Sequence, residues 1–213
     1  MNVLELFAGT RSIGKAFENK GHNVISLDWD NTLPNIDICQ NILDVTPDMI
    51  LERINPVNVI WASPDCTTYS VASISKHRYY ENGCLRPKSE YAYICDDINV
   101  YLHNLIMLLK PEIWFIENPR GAMRKMNFMQ GLPRYTVTYC QYGDSRMKPT
   151  DIWTNLPNPN FKPPCKNGAS CHERAPRGSR YGTQRLRNAR ERSIIPNELC
   201  NYIVDLCEGF YND

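Results

Sequence analysis

Nothing in this sequence approaches the unbroken apolar length that a membrane-spanning helix needs, so no such helix is expected. There is no low-complexity tract, internal repeat or heptad run, which sets aside solenoids, fibres and coiled coils. The opening residues, Met1-Asn2-Val3-Leu4-Glu5-Leu6, have neither the basic n-region nor the apolar h-region of a secretory signal, and an intracellular, cytoplasmic location is expected. The full Gly-x-Gly-x-x-Gly fingerprint is missing, as is the lysine pattern of a phosphate-binding P-loop. Net charge is nearly absent too: 24 Lys and Arg stand against 23 Asp and Glu. Nine cysteines, an odd number that cannot all pair, read most simply as free thiols in a reducing compartment.

What is present is an α/β alternation on 213 residues, enough for one domain with a small appended lobe. Val3 to Phe7 reads as a first strand, and Ser12 to Lys20 as a helix with Ile13, Ala16 and Phe17 on one face. Val24 to Leu27 is a second strand, ending at Asp28-Trp29-Asp30. A short element lies near Ile36 to Val45, a helix near Pro47 to Ile54, and an apolar strand runs from Val57 into Ser63-Pro64-Asp65-Cys66. Tyr91 to Leu109 reads as a helix, Ile113 to Ile116 as a strand, and Arg134 to Tyr142 as a strand paired with Asp151 to Thr154. Pro196 to Phe210 closes the chain as a helix. The polar residues 71–90 are expected to form a long mobile loop, a candidate lid. Such alternation predicts a mostly parallel, doubly wound sheet.

Chemistry collects where these strands end, because ligands of open α/β sheets bind outside the carboxyl edges. The turn Phe7-Ala8-Gly9-Thr10 lets backbone approach a ligand, and Asp28, about twenty residues on, is placed to accept a ribose hydroxyl. Trp29 offers a flat face to an adenine ring. Cys66 is either a nucleophile or a buried structural thiol. Glu117 ends an apolar strand at Asn118-Pro119. It is either a desolvated carboxyl with a proton to donate or an ordinary acid at a strand end. Between Lys162 and Arg192, nine basic residues oppose two acidic ones, either a phosphate-binding surface or a solvated face. Within it, Arg177, Arg180 and Arg185 alternate with Gly and hydroxyl residues in a manner suited to backbone phosphates.

Taken in order, these motifs resemble those of the DNA cytosine-5 methyltransferases, in compact form. Leu6-Phe7-Ala8-Gly9 resembles the first motif of that family and Asp28-Trp29 its acidic-aromatic pair. Ser63-Pro64-Asp65-Cys66 resembles the nucleophile loop, and Glu117-Asn118-Pro119 the Glu-Asn motif that holds the target base. Tyr142 to Lys148 is similar to the Tyr-Gly…Gln-x-Arg-x-Arg segment, and Arg190 to Pro196 to a shortened late region. There are departures. Thr10-Arg11 stands where the family has a second glycine, Asp65 where it has proline, and Lys148 where it has a second arginine. Asn41-Ile42 fits the third motif by spacing, although the family prefers an aspartate, which Asp37 or Asp44 would supply. The late Gly-Asn motif is missing, and the target-recognition region is much reduced.

The resemblance implies a Rossmann-like S-adenosylmethionine-dependent methyltransferase fold with a small basic C-terminal lobe. A catalytic domain would span 1–155, the DNA-contacting lobe 156–193, and a closing helix 194–213. It implies S-adenosylmethionine held by Phe7, Ala8, Gly9, Thr10, Asp28, Trp29, Asn41, Ile42 and Pro64, leaving as S-adenosylhomocysteine. Cys66, Glu117 and Arg146 would be catalytic. Ser63, Asn118, Lys148, Arg177, Arg180 and Arg185 would contact double-stranded DNA, with the protein a monomer. The phage or mobile-element setting common to compact members is part of the expectation. An RNA cytosine-5 methyltransferase and a catalytically impaired DNA-binding relative are the alternatives. Finally, Cys165-x5-Cys171-His172 supplies three zinc-type ligands, with Cys140 or Cys84 a candidate fourth. Their spacing is not the Cys-x2-Cys kind, so zinc is an option and not an expectation.

Overall fold

The computed structural model of the chain describes residues 1–173, 186 and 188–212. Its centre is a seven-stranded sheet formed by β1 (Asn2–Leu6), β2 (Asn23–Asp28), β3 (Ile38–Cys39), β4 (Val59–Ala62), β7 (Ile113–Pro119), β8 (Arg134–Thr138) and β9 (Pro149–Thr154). The strand order is β3-β2-β1-β4-β7-β9-β8. The strands from β3 to β7 pair in parallel, while β9 runs antiparallel to both β7 and β8. The order reverses between β1 and β4, which opens a crevice at their carboxyl ends, the position where such sheets take ligands.

The central parallel strands β1, β4 and β7 are buried on both faces, and their period-two alternation feeds two separate cores. Leu4, Leu6, Ile60, Ala62 and Ile116 face one of them. There they meet α2 (Pro47–Leu51) and the twenty-residue α4 (Glu90–Leu109) through Ile50, Leu102, Leu105 and Leu109. Val3, Val59, Trp61, Ile113 and Phe115 face the other core. This one is closed by Ile13 and Phe17 of α1 (Ser12–Asn19) and by Leu199, Ile203 and Val204 of α6 (Asn197–Asn212). The result is a three-layer Rossmann-like α/β fold, as the alternation predicted. Ser89 caps α4 by accepting from Ala92 N at 3.2 Å, and Thr46 caps α2 ahead of Pro47. The closing helix lies on α1, where His22 Nε2 sits 3.0 Å from a Glu208 carboxylate oxygen.

Two expectations need correcting. Residues 71–90 are not a featureless loop. They contain the short α3 (Ile74–His77) and an antiparallel hairpin of β5 (Arg78–Glu81) and β6 (Cys84–Pro87). A buried cation holds that hairpin down. Arg78, 3% exposed, reaches both Asp96 oxygens (2.7 and 3.0 Å) and both oxygens of Thr68 (2.9 and 3.0 Å), and lies over the Tyr69 ring. The polar composition of 71–90 gives no hint that one arginine is buried. The strand expected over Arg134 to Tyr142 is also shorter: β8 stops at Thr138 and Tyr139–Tyr142 coil into a 3-10 turn. Gly143 ends that turn at φ +81°, a left-handed backbone suited to glycine.

Candidate active site

At the switch-point crevice the first turn is tightly wound. Phe7, Gly9 and Arg11 all have φ between 51° and 56°. A bulky residue such as Phe7 in this left-handed region is a strained conformation, of the sort that collects at functional sites. Gly9 N donates to Asp28 Oδ2 at 2.9 Å and Asp30 N donates to Asp28 Oδ1 at 3.0 Å, so Asp28 ties the ends of β1 and β2 together. A carboxylate has about four acceptor sites, and these bonds occupy two. Next to it, Trp29 is 74% exposed and its ring face is open. These features fit an adenosine: a close-approach glycine, an acceptor for hydroxyls and an aromatic plane. Asn41 and Ile42 are placed differently. Asn41 caps its own 3-10 turn by accepting from Leu43 N at 3.1 Å, and Ile42 is packed in the core, so its backbone is what it can present. Thr10 Oγ1 lies 2.9 Å from Ser12 Oγ at the helix entry.

Sequence reasoning missed Glu5. On β1 it is 2% exposed, accepts from Gly14 N at 2.9 Å, and leaves Oε2 without a partner among the described residues. Burial pushes its carboxyl up to about 7. Gly14 permits this placement, because a Cβ there would stand 2.4 Å from Glu5 Oε2. The signal was present as an acid within an apolar strand.

The Cys66 loop leaves β4 alongside the end of β7. Asn118 Nδ2 donates to Pro64 O at 2.9 Å, joining the two strand ends. Tyr69 N and Ser70 N then both bond Cys66 O, at 3.0 and 2.9 Å, which fixes the turn after the thiol. Across from it, Ala122 N donates to Tyr69 O at 2.8 Å. Gly121 allows that approach, since a Cβ would come within 2.5 Å of the same carbonyl. Ser63, which accepts from Trp61 Nε1 at 2.8 Å, hydrogen-bonds Glu117 as well.

Electrostatically the loop favours a neutral thiol. Burial, then the Asp65 and Glu117 charges, push Cys66 up to about 11, while Lys148 pulls the other way. Burial also raises the Glu117 carboxyl, and Lys148 again opposes the shift. Tyr139 stands between them, its hydroxyl 3.4 Å from Glu117 Oε1 and 3.5 Å from Lys148 Nζ. Lys148 is 6% exposed, lies over the Tyr139 ring and donates to Arg192 O at 2.8 Å. Desolvation lowers its ammonium pKa. Lys148, expected to contact DNA, is buried, and its charge acts on both Cys66 and Glu117. Arg146, expected to be catalytic, is forked onto Asp144, with both Nε contacts at 2.9 Å, and donates to Glu191 O and Ile194 O. Arg177, Arg180 and Arg185 lie outside the described residues.

Compared with known proteins, the chain matches no family model. It is 28% identical over 235 residues to "Probable DNA (cytosine-5)-methyltransferase" of Frog virus 3 (isolate Goorha), covering 97% of this chain and 100% of the relative. Among solved structures it is similar to a protein from E. coli described as a "putative DNA modification methyltransferase encoded within prophage" (TM-score 0.52, 14% identity, 72% of this chain). It is similar as well to the Entamoeba histolytica methyltransferase EhMeth (TM-score 0.52, 16% identity, 72% of this chain). The match spans about half of those two solved chains, 46% and 52%. Over nearly its whole length the chain is thus similar to a protein named "Probable DNA (cytosine-5)-methyltransferase", and it shares the α/β fold of the two solved structures.

Proposed function

We propose that the chain is an S-adenosylmethionine-dependent DNA cytosine-5 methyltransferase acting through a covalent adduct at Cys66. The observation that carries this reading is the convergence of Cys66, Glu117 and Lys148 at the adjoining ends of β4 and β7, beside the cradle built by Gly9 and Asp28. Phe7, Ala8, Gly9 and Thr10 would line the cofactor, with Asp28 toward the ribose, Trp29 on the adenine and the Asn41-Ile42 backbone and Pro64 around them. When bound, the cofactor supplies an electrophilic methyl group on a sulfonium.

The chain's own residues have separate tasks. Cytosine C5 is a poor nucleophile, so the Cys66 thiolate adds to C6 while Glu117 donates its proton toward N3. Burial raises the Glu117 pKa, which keeps that proton available. Lys148 stabilises the thiolate before attack. C5, made enamine-like, would take the methyl group, with S-adenosylhomocysteine as the leaving group; the N3 proton returns to Glu117, and water then removes the C5 proton, so that the C5–C6 double bond re-forms and Cys66 leaves as the thiolate. A paired base cannot reach this crevice within the stack, so the cytosine must be flipped out. Ser63 and Asn118 hold the Glu117 strand and the Cys66 loop in mutual register. A viral, phage or restriction-modification setting suits so compact an enzyme.

DNA carrying 5-fluorocytosine tests the reading, because fluorine at C5 blocks the final proton loss. Intact mass is expected to show a DNA adduct that requires cofactor and disappears in Cys66→Ala. No adduct on any fluorinated duplex, or adduct formation only on folded RNA, would overturn it.

A further inference from the structure

We propose that Cys140, Cys165, Cys171 and His172 form a structural zinc site that clasps the start of the basic segment to the catalytic sheet. The proposal stands on geometry outside the methyl-transfer site. One ligand atom from each of the four residues lies within 4.8 Å of all the others. Cys171 Sγ is 3.6 Å from Cys140 Sγ. His172 Nδ1 is 3.6 Å from Cys165 Sγ and 3.7 Å from Cys171 Sγ. Zinc bonds of about 2.3 Å to sulfur and about 2.05 Å to nitrogen make tetrahedral edges of about 3.8 Å and about 3.6 Å. Those three separations match. The Cys140–Cys165 edge, 3.1 Å, is compressed, yet far longer than the roughly 2.05 Å of a disulfide bond.

The donor set also selects the metal. Three thiolates and an imidazole suit zinc, and four protein ligands leave no open position, the mark of a structural site. Supporting contacts surround it: Gln141 Nε2 donates to Cys171 Sγ at 3.6 Å, and Cys165 N donates to Thr138 Oγ1 at 2.9 Å. Cys140 is buried on the 3-10 turn that follows β8, whereas the other three sit on mostly exposed chain after β9 that has no helix or strand of its own. Such a segment buries too little apolar surface to order itself, and a metal is an economical tether. The site also matters at a distance. Tyr139, adjacent to Cys140, is the residue whose hydroxyl lies between Glu117 and Lys148.

Metal analysis of the full chain purified under reducing conditions tests this. About one zinc per chain is expected, with a tetrahedral thiolate spectrum when cobalt replaces it. In the unsubstituted protein, chelation should make three further thiols reactive, at Cys140, Cys165 and Cys171. Cys171→Ser and His172→Ala should lose metal affinity by at least about tenfold, whereas Cys84→Ser retains it. A chain that binds no zinc after refolding in its presence, thiol reactivity unchanged by chelator, a Cys140–Cys165 disulfide in place of metal, or equal metal in Cys84→Ser and Cys171→Ser would each overturn the assignment. The chelation experiment needs no variant, so a misfolded substitution leaves the answer intact.

Discussion

Replacing Asp65 by Asn should make Cys66 a better nucleophile near neutral pH. With the thiol pushed up to about 11, only about three in ten thousand molecules carry a thiolate at pH 7.5. Asp65 is the largest charged contributor to that shift, after burial. Its Oδ1 accepts from Thr67 N, a bond that the Asn carbonyl keeps, so the substitution removes charge while preserving the turn. Neighbouring residues place the charge roughly 6 Å from the sulfur, and at an effective dielectric of about 40 the repulsion is about 1.4 kcal/mol, or one pKa unit. The thiolate fraction then rises about tenfold. Nucleophilicity falls with basicity by a factor of about 3, so the net gain in attack rate is about threefold. Alkylation of Cys66 across pH, followed by site-resolved mass spectrometry, reads the pKa directly. Below it, log(kcat/KM) should climb with pH in both proteins, displaced to lower pH in the variant. An unchanged or higher Cys66 midpoint in Asp65→Asn refutes the electrostatic reasoning.

Three further outcomes are expected. Lys148→Met should lower kcat by about 10²–10³ while the folded far-ultraviolet spectrum persists, because the cation facing Cys66 and Glu117 is lost and its apolar stem retained; kcat within about threefold would show that Lys148 is not needed. Glu5 holds its proton more tightly when folded, so its stabilising effect is full below the unfolded value of 4.5 and is lost as pH rises through about 7. Glu5→Gln should therefore gain up to about 3 kcal/mol at pH 8 and nothing at pH 4, a difference that urea titration at the two pH values would reveal or deny. Removing the buried guanidinium in Arg78→Ala should cost about 2–4 kcal/mol, somewhat less than a fully buried pair because Asp96 is partly exposed. Equal urea midpoints for Arg78→Ala and the parent would show that the hairpin is not held in this way.

The sequence by itself determined the layers of the fold and the places where chemistry could occur. Apolar strands separated by amphipathic helices leave few ways to bury both faces of a sheet, and strand ends punctuated by Gly9, Asp28, Pro64 and Pro119 are visible without coordinates. Tertiary structure decided which charges meet there. Lys148 and Arg146 are two residues apart and both basic, yet Asp144 takes the arginine while Tyr139 and Arg192 O draw the lysine toward Glu117 and Cys66. That choice depends on residues from β7, β9, the Tyr139 turn and the chain near α6, contacts with no local periodicity. The same reason hid the burial of Arg78 and left open along the chain whether Cys140 or Cys84 joins Cys165, Cys171 and His172, a choice that folding makes for Cys140. Pattern is a property of neighbours along the chain. Desolvation and coordination belong to neighbours in space, and only folding brings those together.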